Sequence, residues 1–232
     1  MSVLILLSIG CSKKSDDKDE GRKTEENENS LSVSRDEKTD NKTNEEKYLI
    51  DWAYYEEKLN KDDQEAFQMY LPILEKSDEF FCFDWLDSEV NINEYLDSIE
   101  SSNEPEIAGV AMVDFDNNNV KELVIHFYEG GGNYLIITND DGEFYGTNLG
   151  ERFLEELQED GKYMSSGGAG DLYFYTLQLG KNGAQTTLFG ELHGEESEDG
   201  TYGDKLEVNG QIIDNAQEWI DTTFSNPANW VE

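Results

Sequence analysis

Apolar positions along this chain follow two different periods. Between residues 48 and 101 they recur at three- and four-residue steps, as on one face of a helix. Leu49, Trp52, Tyr55 and Leu59 predict a helix over 45–60. Phe67, Tyr70, Leu71 and Leu74 predict a second over 63–76, capped by Asp62 and kinked or shortened by Pro72. Ile92, Tyr95, Leu96 and Ile99 mark a third over 91–101, whereas 80–87 is ambiguous. From Ile107 the pattern becomes that of strands, predicted at 107–113, 122–128, 133–138, 143–147, 172–179, 185–192, 205–208 and 211–213. Asn139-Asp140-Asp141-Gly142, Lys181-Asn182-Gly183 and Asn209-Gly210 read as the turns that join them. A short helix fits 151–158, an acidic surface loop fits 194–200, and Asp214 can cap a final helix over 216–224.

Short hairpin links imply antiparallel neighbours, and no repeated strand–helix–strand crossover is visible. The expected fold is α+β, an antiparallel β meander with the N-terminal helices packed on one face and a C-terminal helix.

Residues before 48 contrast with this. They contain no aromatic residue, while the rest of the chain holds all 12 Tyr, 11 Phe and four Trp. Residues 12–46 are dominated by Lys, Glu, Asp, Asn, Ser and Thr, too little apolar surface to offset chain ordering, so a disordered charged tether is expected there. As a flexible coil it would reach roughly 30–35 Å. Residues 47–232 are expected to form a single acidic domain.

The first eleven residues have their own pattern. Val3-Leu4-Ile5-Leu6-Leu7-Ser8-Ile9-Gly10-Cys11 is apolar, too short to span a bilayer, and followed at once by charge. It resembles the end of a bacterial lipoprotein signal peptide, in which a small residue precedes a cysteine that becomes lipidated. The resemblance implies that residues 1–11 hold a signal peptide and a lipidated Cys11. It implies anchoring to the cell membrane, on the extracytoplasmic face.

Charge narrows the partners. Residues 1–47 carry 9 basic and 12 acidic groups, and residues 48–232 carry 8 and 41, so the net charge of −36 divides into −3 and −33. Such a domain is repelled by nucleic acid and anionic lipid and attracts divalent or basic partners. With Cys11 lipidated, Cys82 has no partner for an intramolecular disulfide. Its setting, Phe80-Phe81-Cys82-Phe83-Asp84-Trp85, suits a small buried hydrophobe and offers no cation to activate a thiolate.

One constellation carries chemistry. Asp114-Phe115-Asp116-Asn117-Asn118-Asn119-Val120-Lys121-Glu122 places side-chain oxygens at relative positions 1, 3, 5 and 9. Calcium takes six to eight hard oxygen ligands, and alternating Asp/Asn side chains can supply them from one face. Asp114, Asp116 and Asn118 are the candidate side-chain ligands, Val120 would add its backbone carbonyl, and Glu122 would close the shell. A turn between two strands accounts for the same residues without a metal. The stretch resembles the Asp-x-Asp-x-Asp-Gly calcium loops of integrin-type repeats. It is also similar to a motif in uncharacterised lipoproteins of Gram-positive bacteria, where the following strand begins Pro-Glu-Leu. That second resemblance extends over roughly 105–225. It takes in Ser166-Gly167-Gly168-Ala169-Gly170 and Val208-Asn209-Gly210, and implies a fold and an address but no activity. Any calcium affinity is expected to be weak, on the order of 10⁻⁴–10⁻³ M.

Other signals are sparse. The two histidines, His126 and His193, show no zinc-type spacing, and the run 165–170 precedes a strand rather than the helix N-terminus that phosphate cradles use. Three functions remain open. The favoured one is a non-catalytic, membrane-tethered module that binds a protein or glycan ligand. The alternatives are a cell-envelope hydrolase acting on glycan through Asp/Glu carboxylates, and a purely structural surface protein.

Overall fold

A computed structural model describes residues 48–75, 78–84, 86–99, 105–128, 133–168, 170–196 and 202–232. Cys11 and the expected signal peptide and tether lie outside these residues. All described residues fall in one compact unit, Asn44–Glu232.

The fold is α+β, with eleven strands in two sheets among the described residues. The first helix is α1 (Trp52–Lys58), shorter than predicted at both ends, with the Asp51 carboxylate accepting the Tyr54 N–H. Asn60, rather than Asp62, caps α2 (Lys61–Phe67), its side chain accepting from the N–H groups of Asp62 and Asp63. The predicted second helix then breaks. A 3₁₀ turn covers Gln68–Tyr70, and α3 (Leu71–Leu74) restarts with Pro72 in its first turn. There the missing proline N–H costs nothing, whereas mid-helix it would remove a hydrogen bond. The ambiguous segment after it forms strands β1 (Phe80–Cys82) and β2 (Ser88–Val90). Helix α4 (Ile92–Ser98) begins at an Asn91/Glu94 capping box.

Four strands follow: β3 (Ile107–Val113), β4 (Glu122–Phe127), β5 (Asn133–Asp140) and β6 (Glu143–Leu149). They form an antiparallel meander, and β1 adds to β6 in parallel through Phe81 opposite Tyr145 and Cys82 opposite Gly146. Only glycine fits at 146, because a Cβ there would lie 2.6 Å from the Phe80 ring. The first sheet thus runs β2-β1-β6-β5-β4-β3.

The second sheet is a separate meander, ordered β11-β10-β9-β8-β7. It contains β7 (Tyr163–Gly168), β8 (Asp171–Gly180), β9 (Gly183–Glu196), β10 (Tyr202–Val208) and β11 (Gln211–Ile213). Residues 194–196, expected in a loop, continue β9 and pair with Tyr202–Asp204, because the backbone ladder persists where apolar alternation stops. Residues 151–158 are not one helix. A single 3₁₀ turn, Glu151–Phe153, gives way to short bridges from Glu155 to Met164 and from Gln158 to Pro227. The last helix, α5 (Ala216–Thr223), is capped by Asn215 rather than Asp214.

One meander was expected and two are present; the division explains why β3 and β4 are apolar at almost every position. Residues of β3–β5 with one parity, including Val110, Met112, Ile125 and Leu135, pack beneath the helices with Phe67, Tyr70 and Tyr95. Those with the other parity, including Ala111, Val113, Val124 and Ile136, pack against Leu177, Leu179 and Tyr163 of the second sheet. A sheet covered on both faces loses the polar alternation of a half-exposed one. A third cluster docks α5, where Trp219 and Phe224 meet Phe174 at ring distances of 5.1 and 5.5 Å.

Candidate functional site

The β3–β4 connection leaves a buried strand at Val113 and re-enters one at Glu122. Between them the Asp and Asn side chains fold back on the loop's own backbone. Asp114 accepts the N–H of Asn118 at 3.1 Å and that of Asn119 at 2.9 Å. Asp116 also accepts from Asn118, at 3.1 Å, and the Asn118 side-chain oxygen accepts from Val120 at 2.6 Å. Asn117 and Asn119 sit at φ of 60° and 68°, a left-handed conformation that Asn tolerates better than most residues. Asp114 and Asp116 are half-exposed and Asn118 is exposed, and each acceptor oxygen has lone-pair capacity beyond its backbone bonds.

Glu122 lies below this loop. Its carboxylate is 2 % exposed; one oxygen accepts the Phe115 N–H at 2.9 Å and the other the Thr138 hydroxyl at 2.9 Å. Burial pushes it up to about 7. The bonds from Phe115 and Thr138 oppose that shift, and the charges of Asp116 and Asp114 add to it. Phe115 is itself fixed: its ring meets Tyr163 edge-on at 6.3 Å, and Gly161 backs onto it so closely that a Cβ there would lie 2.3 Å from its Cα. On the helical side, Tyr70 donates to the Lys121 carbonyl at 2.8 Å, and the Lys121 ammonium pairs with buried Asp63. Both ends of the loop are therefore held by the core.

Among the described residues, no group of three or more His, Cys, Asp and Glu side chains is spaced to hold a metal. What the sequence did not reveal is the loop's neighbour. The β5–β6 turn and the β8–β9 turn close around it, so that Asp116 and Asn118 share a cleft of about 460 Å³ with Asp140, Asp141, Gln178 and Gln185. Asp140 accepts the Lys181 N–H at 3.1 Å, which ties the two sheets' turns together.

A second concavity, about 390 Å³, lies at the β3–β4–β5 end of the first sheet. His126 and Tyr134, paired across β4 and β5, stack with centroids 4.3 Å apart and planes 10° apart. Trp230, brought in by the bridge of Val231 to Val110, lies 6.1 Å from each ring. Glu155, Glu156 and Glu232 line the same cleft, and Glu155 accepts from the Ser166 hydroxyl at 2.9 Å. No local motif announces this site, since its aromatic residues come from positions 126, 134 and 230. The only signal in the sequence was a histidine mid-strand between two buried residues.

The remaining candidates are placed as follows. Cys82 is buried, with its thiol pushed up to about 11 by burial, so it is not an activated nucleophile. The run 163–168 is strand, with a bulge between Ser166 and Gly168. His193 contacts Asp171 at 3.0 Å and Glu191 at 3.4 Å on the second sheet. No helix among the described residues is long and apolar enough to cross a membrane. No protein-family model, curated protein or solved structure matches this chain.

Proposed function

We propose that the chain is a non-catalytic binding module, anchored at Cys11 to the extracytoplasmic face of the cell membrane, which takes a glycan into the His126/Tyr134/Trp230 cleft. The cleft carries this reading. Its volume lies in the range of small-ligand sites, and it combines three partly buried aromatic side chains with a few polar groups. A sugar presents an apolar C–H face that packs on aromatic rings, and hydroxyls that donate to carboxylates such as Glu155 and Glu156. The −33 charge of residues 48–232 disfavours anionic ligands and leaves neutral ones unopposed. We propose in addition that the β3–β4 loop binds calcium weakly through Asp114, Asp116, Asn118 and the Val120 carbonyl. With Glu122 held beneath by Phe115 and Thr138, two carboxylates face the ion and water completes its shell.

Soluble cell-wall polysaccharide, titrated against the full chain by calorimetry, should bind saturably. Trp230→Ala should weaken binding at least about tenfold, equivalent to roughly 1.4 kcal/mol. Binding unchanged by Trp230→Ala and by Tyr134→Ala, with both variants folded by circular dichroism, would contradict the site.

A second reading is favoured by one observation, the presence of Glu155 and Glu156 in the same cleft. A hydrolase would use two carboxylates on either side of a glycosidic bond. Release of reducing ends from the polysaccharide, abolished by Glu155→Gln or Glu156→Gln, would establish it; binding without release leaves the module.

A further inference from the structure

We propose that the open edge of β9 binds an extended peptide with basic ends, as an added strand. This goes beyond the glycan-binding reading and uses a surface that shares no residue with the aromatic cleft.

Strand β9 runs for 14 residues, but β10 covers only part of it, from Gly190 to Glu196. From Gly183 to Leu188 the described residues pair it with β8 alone. In an antiparallel ladder, alternate residues direct their N–H and C=O away from the partner strand. Along 184–188 those groups face solvent, and Ala184, Gln185, Thr186, Thr187 and Leu188 are all exposed. Protein edges are normally guarded by Lys, by Pro, by a bulge, or by being very short. The segment Gly183-Ala184-Gln185-Thr186-Thr187-Leu188-Phe189 carries no charge and no proline, in a chain whose residues are 30 % charged. The one bulge in the β8–β9 pair falls on Phe189, between Gly190 opposite Phe174 and Leu188 opposite Tyr175, so it bounds the open stretch at its inner end and leaves 184–188 in regular register.

Charge selects the occupant. Beside Gln185 at the hairpin end lies the cleft containing Asp116, Asp140 and Asp141. Beside Leu188 at the other end lies a hollow of about 140 Å³ containing Glu191 and Glu207. The edge is therefore neutral in the middle and net acidic at both ends, Lys181 in the hairpin turn being outnumbered by Asp116, Asp140 and Asp141. A second copy would set −33 against −33. An extended segment with a neutral, β-prone centre and Lys or Arg at each end, about 20 Å apart at roughly 3.3 Å per residue, complements it. Backbone bonds would supply affinity and the end charges orientation, as in other strand-addition complexes.

The test uses the full chain in chelator and a fluorescent peptide, Lys-Lys-Thr-Val-Thr-Val-Thr-Lys-Lys. Anisotropy should show binding that weakens at least tenfold between low and 0.5 M salt. The peptide should slow amide exchange within 184–188. Replacing its four Lys by Glu, or its central Thr by Pro, should abolish binding. Equal binding of the Glu-ended peptide, or binding without protection of 184–188, would overturn the proposal. So would protection of the same amides with rising protein concentration alone, which would identify a second copy as the occupant. Thr186→Lys with Leu188→Lys, which places cations on the edge without disturbing the core, should block the basic peptide; unchanged binding to this variant would also overturn it.

Discussion

Glu122 accepts the backbone N–H of Phe115 at 2.9 Å, so the first residue of β4 clasps the residue two places beyond the end of β3. That bond closes the loop from below, while Asp114 closes it from above through Asn118 and Asn119. The same carboxylate holds Thr138 on β5. Removing it leaves two buried donors without an acceptor. Glu122→Ala should therefore cost about 2–4 kcal/mol in urea unfolding, and Asn117→Ala, whose exposed side chain closes neither end, distinctly less. Equal losses would show that the clasp is unimportant.

Calcium should act on the same loop. Asp114, Asp116 and Glu122 contribute three negative charges when ionised, so a divalent ion relieves local repulsion. Binding to the ordered loop and not to the unfolded chain stabilises by about 0.4–1.4 kcal/mol at 1 mM calcium, for an expected dissociation constant on the order of 10⁻⁴–10⁻³ M. The melting temperature should rise from chelator to millimolar calcium, and much less in magnesium. Asp116→Ala should remove most of the rise and Asn117→Ala little of it. Identical melting in chelator and calcium would leave the Asx-rich turn as the whole explanation.

Cys82 tests the core beneath β1. With its thiol pushed up to about 11, the nucleophilic thiolate is scarce at neutral pH, and the sulfur is buried as well. A thiol reagent at pH 8 should label it only after denaturant is added. The measurement uses Cys11→Ser, which leaves Cys82 as the single thiol, and rapid labelling of that native protein would place Cys82 at a solvent-reachable site.

His193 should make stability depend on pH. Its pKa is raised above 6.5, first by the hydrogen bond to Asp171 and further by Glu191, against a smaller opposing effect of burial. Lys205 stands opposite it on β10, and the Tyr173 ring meets it edge-on. The folded state holds the proton more tightly than the unfolded chain. The stabilisation is therefore fully present below about pH 6.5 and is lost as pH rises through the raised folded value. The gap in melting temperature between the parent and His193→Gln should be widest at pH 5–6 and shrink toward pH 8–9. A gap that widens with pH would have the wrong sign.

Much of the fold was legible because its signals are local. Helical spacing marked Phe67, Tyr70 and Leu74, and Asn209-Gly210 marked a hairpin that the structure contains. The parallel pairing of β1 with β6 was not legible, since it depends on Gly146 meeting Phe80 across 66 residues. Nor was the division into two sheets, which follows from which parity of β3–β5 faces which partner. The oxygen-rich loop was visible as a motif. The cleft it shares with Asp140 and Asp141 was hidden, as was the aromatic cleft, because each is assembled from separate turns or strands. Charge patterning also missed the open edge of β9: a neutral stretch is conspicuous only once β10 is seen to stop at Gly190.

If glycan occupies the cleft of His126, Tyr134 and Trp230, as proposed, the tryptophan side chains report its binding most directly. The chain has four, Trp52, Trp85, Trp219 and Trp230, giving four indole N–H signals in a ¹⁵N-labelled sample. Titration with soluble cell-wall oligosaccharide should move the Trp230 signal, assigned through Trp230→Phe, progressively and to saturation while the Trp52 and Trp219 signals stay in place. A Trp230 signal that remains fixed while another moves, or four signals unchanged at saturating oligosaccharide, would contradict the account.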